Sequence, residues 1–261
     1  MDTGTSDLLC ERRGAIGWVT FNRPEARNAM KFAMYDGLVK ICRAVAEDPE
    51  IRVLVLTGAG DKAFVAGTDI SQFQSFTDPQ HAIEYEHRLD EVFATLESVP
   101  RPTIAMIRGY AVGGGASIAL SCDLRICSPD ARFGIPVART LGNSLSMNSY
   151  ARLVDLIGPA RAKHMIFTAS MIEAEDARTA GIVNEIVPAE ELEARTMALA
   201  EQIASHAPIT IQVTKEAIRR ILESRRVAAH DDLVVKAYMS KDFAEGVRAF
   251  LEKRKPQWTG T

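Results

Sequence analysis

The sequence has only four cysteines among 261 residues, few aromatic residues and a nearly balanced charge. The cysteines lack the spacing of zinc ligands and no histidine pair accompanies them, so we expect no metal centre. The net charge is −3, and no cluster of lysine and arginine is interleaved with aromatics, which argues against a nucleic-acid partner. We interpret the cysteines as small buried apolar residues. They are Cys10, Cys42, Cys122 and Cys127.

The sequence also lacks an uninterrupted apolar run of the roughly 18 residues that a membrane-spanning helix needs. Its first residues, MDTGTSDLL, lack the basic segment and the following apolar run of a secretion signal. We therefore expect a cytoplasmic protein with no membrane partner. Because 47% of the residues are hydrophobic, a chain of this length can bury a large core.

Short β-rich segments alternate with helical patterns over roughly the first two thirds of the chain. This alternation is typical of parallel β-α-β units, so we predict an α/β fold. We predict a core over residues 1–195, followed by a helical region over residues 196–261. The predicted strands are residues 8–12, 16–21, 53–56, 104–107, 124–127 and 183–187. The predicted helices before the last third are residues 31–47, 79–99, one beginning near Asn143 or Ser144, and 160–168. Residues 63–70 are predicted to form a loop and residues 133–136 a turn.

Three consecutive glycines, Gly113 to Gly115, follow the apolar segment at residues 104–107 and lead into a helical pattern. Glycine permits unusual backbone angles and removes every side chain, so a ligand can approach main-chain amides at the positive end of a helix dipole. The turn therefore predicts a site for an anion or an oxyanion. The alternative interpretation is that the glycines serve only a tight turn and close helix packing.

Several further pieces of sequence, spread over nearly the whole chain, accompany this turn. They are NRP at 22–24 with NA at 28–29, AFVAGTDI at 63–70, GYAVGGGA at 109–116 with CD at 122–123, FG at 133–134, GIVN at 181–184 and EGVRAF at 245–250. In content and in order, this set resembles the enoyl-CoA hydratase/isomerase (crotonase) superfamily. The resemblance implies an α/β fold whose core is a spiral of ββα turns, with a helical C-terminal region that mediates trimerisation.

The resemblance also implies a substrate class and a catalytic device. It implies that the chain takes a coenzyme A thioester as substrate, has no tightly bound cofactor, and forms a homotrimer or a homohexamer. In the family pattern two main-chain amides donate to the thioester carbonyl, and these positions are Thr68 and Gly114 here. Because the family's reactions build negative charge on the thioester oxygen, two fixed donors would stabilise the transition state.

The two glutamates with which the family's hydratases activate water and protonate the α-carbon are absent. The position two residues after the glycine triplet is Ser117, and the position after the proline of the FGxP turn is Val137. Ser117 could orient a water or a substrate hydroxyl, or it could only fill space in the helix. We therefore do not expect ordinary enoyl-CoA hydration.

Glu86 and Arg139 are candidates to replace the missing pair. Glu86 lies at the edge of an apolar helical stripe, in a segment that borders the acyl pocket in the family, where burial would raise its pKa. The alternative is an ordinary solvated glutamate. Arg139 lies in the turn where the family places its second glutamate, and it could bind a carboxylate on the acyl chain. A structural salt bridge or a subunit contact is the alternative for Arg139.

The resemblance assigns the adenine and phosphate end of coenzyme A to two segments, residues 23–29 and 62–66. The alternative for each charged residue there is an ordinary solvated surface position. Arginine and lysine in these segments supply positive charge suited to phosphates. The residues assigned to coenzyme A are Arg23, Arg27, Lys62, Ala63, Ala66, Asp69 and Ile70.

Three kinds of function stay open from the sequence. Hydration or double-bond isomerisation of an enoyl thioester is nearest to the family's chemistry. Decarboxylation or thioester hydrolysis needs fewer titrating groups, because loss of carbon dioxide itself creates the enolate. An acyl-CoA-binding protein without catalysis is the third. A Rossmann dinucleotide site is disfavoured, because VGGGAS at 112–117 lacks the GxGxxG spacing.

Overall fold

The computed structural model describes residues 3–225 and 231–261. The strands are β1 (Leu8–Arg13), β2 (Ile16–Phe21), β3 (Val53–Gly58), β4 (Ala63–Val65), β5 (Thr103–Ile107), β6 (Tyr110–Val112), β7 (Leu124–Cys127), β8 (Arg132–Gly134), β9 (Ile172–Glu173) and β10 (Glu185–Ile186). The helices are α1 (Phe32–Glu47), α2 (Pro79–Ser98), α3 (Gly114–Ser121), α4 (Val137–Thr140), α5 (Met147–Thr168), α6 (Ala174–Thr179), α7 (Leu192–Ser205), α8 (Pro208–Glu223), α9 (Asp231–Tyr238) and α10 (Lys241–Leu251).

Two sheets form the core, and successive strand pairs distribute between them. The larger sheet has the order β1-β2-β3-β5-β7-β10, and the smaller has the order β4-β6-β8-β9. The pairs β3 and β4, β5 and β6, and β7 and β8 each place their first strand in the larger sheet and their second in the smaller. The β1–β2 hairpin is antiparallel, whereas β2, β3, β5, β7 and β10 run parallel. This repeat confirms the predicted α/β fold with a spiral ββα core.

The larger sheet is covered on both faces, as expected for parallel strands. Leu54 and Leu56 of β3 belong to the main apolar cluster, which contains the buried faces of α1, α2 and α3. Val53 and Val55 point to the opposite face, where they pack in a second cluster with Leu192 and Ala200 of α7. Since α7 spans residue 195, the predicted boundary between core and C-terminal region falls inside a helix that packs on the sheet, and the division stays a prediction.

The structure corrects several local predictions. The predicted loop at residues 63–70 begins with β4, and the predicted turn at 133–136 begins with the last two residues of β8, because β4 and β8 both pair with β6 in the smaller sheet. The helix expected to begin near Asn143 or Ser144 begins at Met147 instead. Its cap is Ser146, whose Oγ accepts a hydrogen bond from the amide of Ser149 at 3.1 Å. Part of the predicted C-terminal helical pattern, residues 226–230, lies outside the described residues.

Within residues 3–225 and 231–261, no helix combines the length and the apolarity needed to cross a bilayer. The same residues contain no group of three or more histidine, cysteine, aspartate or glutamate side chains arranged to hold a metal ion.

Candidate active site

The glycine turn joins β6 to α3 and exposes the first turn of that helix. Gly113 adopts a φ of +53°, which favours glycine, and its amide donates to the carbonyl of Gly134 at 2.9 Å. A Cβ on Gly114 would lie 2.4 Å from the hydroxyl oxygen of Tyr35, so any side chain there would force a rearrangement. The sequence predicted a strand leading directly into this turn. The structure places the short strand β6 between that strand and the glycines.

A second loop brings the amide of Thr68 to the same place. Met30 forms an isolated parallel bridge with this loop: its amide donates to Gly67 at 2.8 Å, and its carbonyl accepts from the amide of Asp69 at 2.9 Å. Because these bonds use the groups on either side of Thr68, the N–H of Thr68 itself points away from Met30. Among the described residues, neither the Thr68 amide nor the Gly114 amide donates a hydrogen bond.

The two loops meet on one wall of a cavity of about 480 Å³. A Cβ on Gly114 would lie only 3.3 Å from Oγ1 of Thr68, which shows how closely the loops approach. Two unused amides beside one cavity, one of them at a helix N-terminus, form an arrangement that can bind an oxygen carrying negative charge. We call the four residues Gly67, Thr68, Gly113 and Gly114 of these two loops the amide wall.

Glu86 of α2 also lines this cavity. Its side chain is 3% exposed, which contradicts the alternative of an ordinary solvated glutamate. The hydroxyl of Tyr238 donates to Oε1 at 2.5 Å, and the main-chain amide of Ser146 donates to Oε2 at 2.9 Å. Burial raises the pKa of Glu86 to about 7, with a contribution from the negative charge of Asp90, although the two hydrogen bonds act in the opposite direction.

The surroundings of Glu86 explain why it is desolvated. Tyr85, Leu89 and Phe93 lie on the same side of α2 and line the cavity with it. The ring of Tyr238 packs against that of Phe243 with centroids 4.8 Å apart, and further rings from α2 and the preceding loop complete the cluster. We call the lining residues Tyr85, Glu86, Leu89 and Phe93, together with Tyr238 that is bonded to Glu86, the carboxylate wall. A carboxyl group with a pKa near neutrality in such a wall can both remove and return a proton.

A chain of three hydroxyl groups joins the buried Tyr35 to Thr68 of the amide wall and to Tyr85 of the carboxylate wall. The hydroxyls of Tyr35 and Thr68 are hydrogen-bonded at 2.8 Å, and those of Thr68 and Tyr85 are also hydrogen-bonded at 2.8 Å. Burial raises the pKa of both tyrosines above their ordinary value, so both stay protonated at neutral pH. Sequence reasoning did not identify Tyr35, Tyr85 or Tyr238, since no local pattern distinguishes them from other core aromatics.

Ser117 and Val137 lie together at this cavity, as their positions in the family pattern require. Both are buried, and neither side chain titrates near neutral pH. The cavity therefore holds a carboxylate at Glu86 and none at the two positions where the resemblance implies glutamates.

A protein-family model matches nearly the full chain. The family model described as enoyl-CoA hydratase/isomerase matches residues 11–261. The chain belongs to the enoyl-CoA hydratase/isomerase family. Members of this family process acyl-CoA thioesters, so an acyl-CoA thioester is the substrate class of this enzyme.

Curated relatives and solved structures cover almost the whole chain. The short-chain-enoyl-CoA hydratase of Clostridium acetobutylicum is 35% identical over 253 residues, 96% of each chain. The (E)-benzylidenesuccinyl-CoA hydratase of Thauera aromatica is 37% identical and covers 94% of this chain and 96% of its own. The solved structure of a methylmalonyl-CoA decarboxylase in complex with 2-nitronate-propionyl-CoA is 30% identical, with a TM-score of 0.89, and covers 98% of this chain and 99% of its own.

Some of the residues assigned to coenzyme A line the main cavity or a second hollow beside it, and others line neither. The second hollow, of about 430 Å³, adjoins the cavity and shares Arg27 and Tyr110 with it. Lys62 lines this outer hollow. The guanidinium of Arg27 lies 5.9 Å from the ring centroid of Tyr110 at the boundary. Ala66, Asp69 and Ile70 line the main cavity, whereas Ala63 is buried in β4.

Arg23 and Arg139 line neither the cavity nor the outer hollow. The guanidinium of Arg23 donates to the carbonyl of Ala29 at 2.6 Å and to Asp69 at 3.1 Å, so its charge is partnered inside the protein. It connects the 23–29 segment to the loop that carries Thr68. Arg139 is exposed on α4 and does not line the cavity. The structure therefore does not bring Arg139 together with the other candidate residues.

Proposed function

We propose that this chain moves a proton along the acyl group of an unsaturated acyl-CoA, through a thioester enolate, with Glu86 as its acid-base residue. The observation that carries the proposal is a buried carboxylate of near-neutral pKa that lines the same cavity as two unused amides. A double-bond isomerisation needs one group that removes a proton and returns it elsewhere, together with a site for the enolate oxygen.

The reaction would proceed in two proton transfers. The Glu86 carboxylate removes a proton from the α-carbon of a β,γ-unsaturated thioester, and the electron pair of that C–H bond delocalises onto the thioester oxygen. The amides of Thr68 and Gly114 hold this oxygen, each stabilising the enolate by about 3 kcal/mol. The same carboxyl group then returns the proton to the γ-carbon, and the double bond moves into conjugation with the thioester.

Hydration fits the cavity less well. Addition of water to an enoyl thioester requires one group to activate the water and a second to protonate the α-carbon. Ser117 and Val137 supply neither, and Glu86 is a single carboxyl group. The curated relatives described above are named as hydratases, so this chain would keep their fold and their substrate class while differing in reaction.

Decarboxylation is the second candidate, and the likeness to methylmalonyl-CoA decarboxylase favours it. Loss of carbon dioxide from a malonyl-type thioester leaves the electron pair of the broken C–C bond on the enolate, so no base is required. The protonated form of Glu86 would then deliver a proton to the α-carbon. The two candidates therefore use opposite protonation states of the same residue.

The test compares three thioesters with the wild-type enzyme and with Glu86→Gln. Conversion of 3-butenoyl-CoA to crotonyl-CoA is followed by the gain of conjugated thioester absorbance, hydration of crotonyl-CoA by its loss, and decarboxylation of methylmalonyl-CoA by release of carbon dioxide. We expect isomerisation whose rate rises with pH through about 7 and falls about 1000-fold in Glu86→Gln.

The matched control is Glu84→Gln, which changes an exposed glutamate on the same helix and leaves the rate unaltered. Decarboxylation whose rate falls as pH rises through 7 would favour the second candidate. Turnover of any of the three substrates that is unaffected by Glu86→Gln would contradict the role of Glu86.

We also propose that the enzyme assembles as a homotrimer or a homohexamer through the region after residue 195. Helix α8 has no buried residue within the single chain, yet it carries apolar side chains at helical spacing. These exposed residues are Ile209, Val213, Ile218 and Ile221.

Light scattering is expected to give three or six times the chain mass for the wild type, and a lower mass for Ile218→Asp. Leu9→Asp, at an exposed apolar residue of β1, is expected to leave it unchanged, and a monomeric wild type would refute the assembly.

A further inference from the structure

The hydroxyl chain Tyr35–Thr68–Tyr85 has one more O–H proton than its two internal hydrogen bonds require. Three hydroxyl groups carry three protons, and two hydroxyl–hydroxyl contacts consume two of them. One O–H is therefore free to donate to a group outside the chain, and its position depends on the direction in which the chain is ordered.

The burial of Tyr35 sets that direction. Tyr35 is fully buried and does not line the cavity, and within the described part of the molecule its hydroxyl has Thr68 as its sole hydrogen-bond partner. A free proton on Tyr35 would be a buried donor without an acceptor, which costs about 1–3 kcal/mol. Tyr35 therefore donates to Thr68. Of the two orders that remain, the one in which Thr68 donates onward to Tyr85 is favoured over the one in which Thr68 accepts from both tyrosines, because hydrogen bonds that run in one direction polarise one another.

The free O–H then belongs to Tyr85, which lines the cavity. Its oxygen lies 2.8 Å from Oγ1 of Thr68, the residue whose amide faces the same cavity. The ring is held in place by edge-to-face contacts with Phe73 and Phe76, with centroids 5.0 and 5.7 Å away. A rigid donor of this kind loses little entropy when it binds an oxygen atom.

We propose that Tyr85 donates a third hydrogen bond to the thioester oxygen, beside the amides of Thr68 and Gly114. Tyr85 is then a catalytic residue, whereas Tyr35 is a positioning residue that orders the chain outward. The proposal rests on the oxyanion site of the proposed function. It adds a side-chain donor to a site that otherwise consists of main-chain groups, and it selects substrates whose carbonyl oxygen gains negative charge.

Tyr35 also links the two amides mechanically. Its hydroxyl occupies the space that a Cβ on Gly114 would fill, and it is bonded to the side chain of Thr68. One hydroxyl group therefore contacts both loops of the amide wall. Without this hydroxyl, the distance between the two amides would be held less tightly, and the direction of the hydrogen bonds from Tyr35 to Tyr85 would no longer be fixed.

The test measures the carbonyl stretching frequency of bound crotonyl-CoA carrying ¹³C at the thioester carbon. The spectra are recorded in the Glu86→Gln background, so that the bound thioester is not consumed. We expect Tyr85→Phe to reduce the red shift of this band on binding, and Tyr35→Phe to reduce it by a smaller amount. With Glu86 intact, Tyr85→Phe is expected to lower kcat about 100-fold and to change KM little, because the bond strengthens as the oxygen becomes charged.

The matched control is Tyr150→Phe, which removes a hydroxyl bonded to Ser144 that does not line the cavity. An unchanged carbonyl band in both Tyr85→Phe and Tyr35→Phe would overturn the proposal. A band that responds to Thr68→Val and not to Tyr85→Phe would also overturn it, by assigning the free proton to Thr68. Since the red shift requires no turnover, a failure of the isomerase assay leaves this result interpretable.

Discussion

The two walls of the cavity are built in different ways. The amide wall is made of main-chain groups from two loops, and its shape depends on glycine and on the close approach of those loops. The carboxylate wall is made of side chains from α2 and from Tyr238 of α9, with the main-chain amide of Ser146 as a further partner of Glu86. A wall of main-chain groups keeps its chemistry when side chains change, whereas a wall of side chains can exchange one reaction for another. Under the proposed function, the oxyanion donors would therefore survive changes of side chain, whereas the acid-base residue would not.

The largest expected effect comes from breaking the amide wall at Gly114. In Gly114→Ala the new Cβ meets the hydroxyl of Tyr35 at 2.4 Å, which forces the two loops apart. We expect kcat/KM to fall about 1000-fold, as when an oxyanion donor is lost. The double variant Gly114→Ala/Tyr35→Phe removes the clashing oxygen and should recover part of the activity. Equal activity in the single variant and the wild type would remove the amide wall from the mechanism.

The pH dependence of stability tests the carboxylate wall. The folded-state pKa of Glu86, about 7, lies above its ordinary value of 4.5, so the folded protein binds more protons between these values. The free energy of unfolding must then decrease as pH rises from about 4.5 to 7, by on the order of 3 kcal/mol. Denaturant titrations at pH 5 and pH 8 should show this loss in the wild type and in Glu84→Gln, but not in Glu86→Gln. A loss of the same size in Glu86→Gln would assign it to other groups.

A smaller effect is expected when one partner of Glu86 is removed. The hydroxyl of Tyr238 stabilises the charged carboxylate, so Tyr238→Phe should raise the pKa of Glu86 by about one unit. The midpoint of the rise of kcat/KM with pH should move upward by the same amount, with the plateau changed less. Tyr150→Phe serves as the control with an unmoved midpoint. A lower plateau with no shift of the midpoint would mean that Tyr238 only packs.

We expect the smallest effect at Lys62, which lines the outer hollow and belongs to neither wall. Lys62 is a single charge in a solvated setting, so Lys62→Ala should weaken coenzyme A binding about three- to fivefold at low ionic strength. The difference should shrink at high salt because exposed charges are screened. Lys163→Ala, at an exposed lysine on α5, provides the control. Calorimetry with free coenzyme A makes the measurement independent of the reaction. An unchanged affinity would exclude Lys62 from the nucleotide site.

The sequence singled out Thr68, Gly114 and Glu86 but not the residues that surround Glu86, and the reason is physical. The glycine turn and the Thr68 loop depend on local features, namely a strand, a helix start and residues without side chains, which short motifs record. The environment of Glu86 depends on contacts between residues 60 and 152 positions apart, which no local pattern records. The short strands β4 and β8 were missed for a similar reason, because three residues in a small sheet depend on their partners more than on their own propensity.

The hydrogen bond between Tyr238 and Glu86 also has a consequence for the order of folding. The two residues are separated by 152 positions, so the contact closes one of the longest loops in the chain. During synthesis, α2 leaves the ribosome long before α9 exists, and the strands and glycine turn between them can assemble first. The carboxylate is therefore expected to acquire its final surroundings among the last events of folding, so that an incomplete chain holds the enolate site before it holds the proton donor.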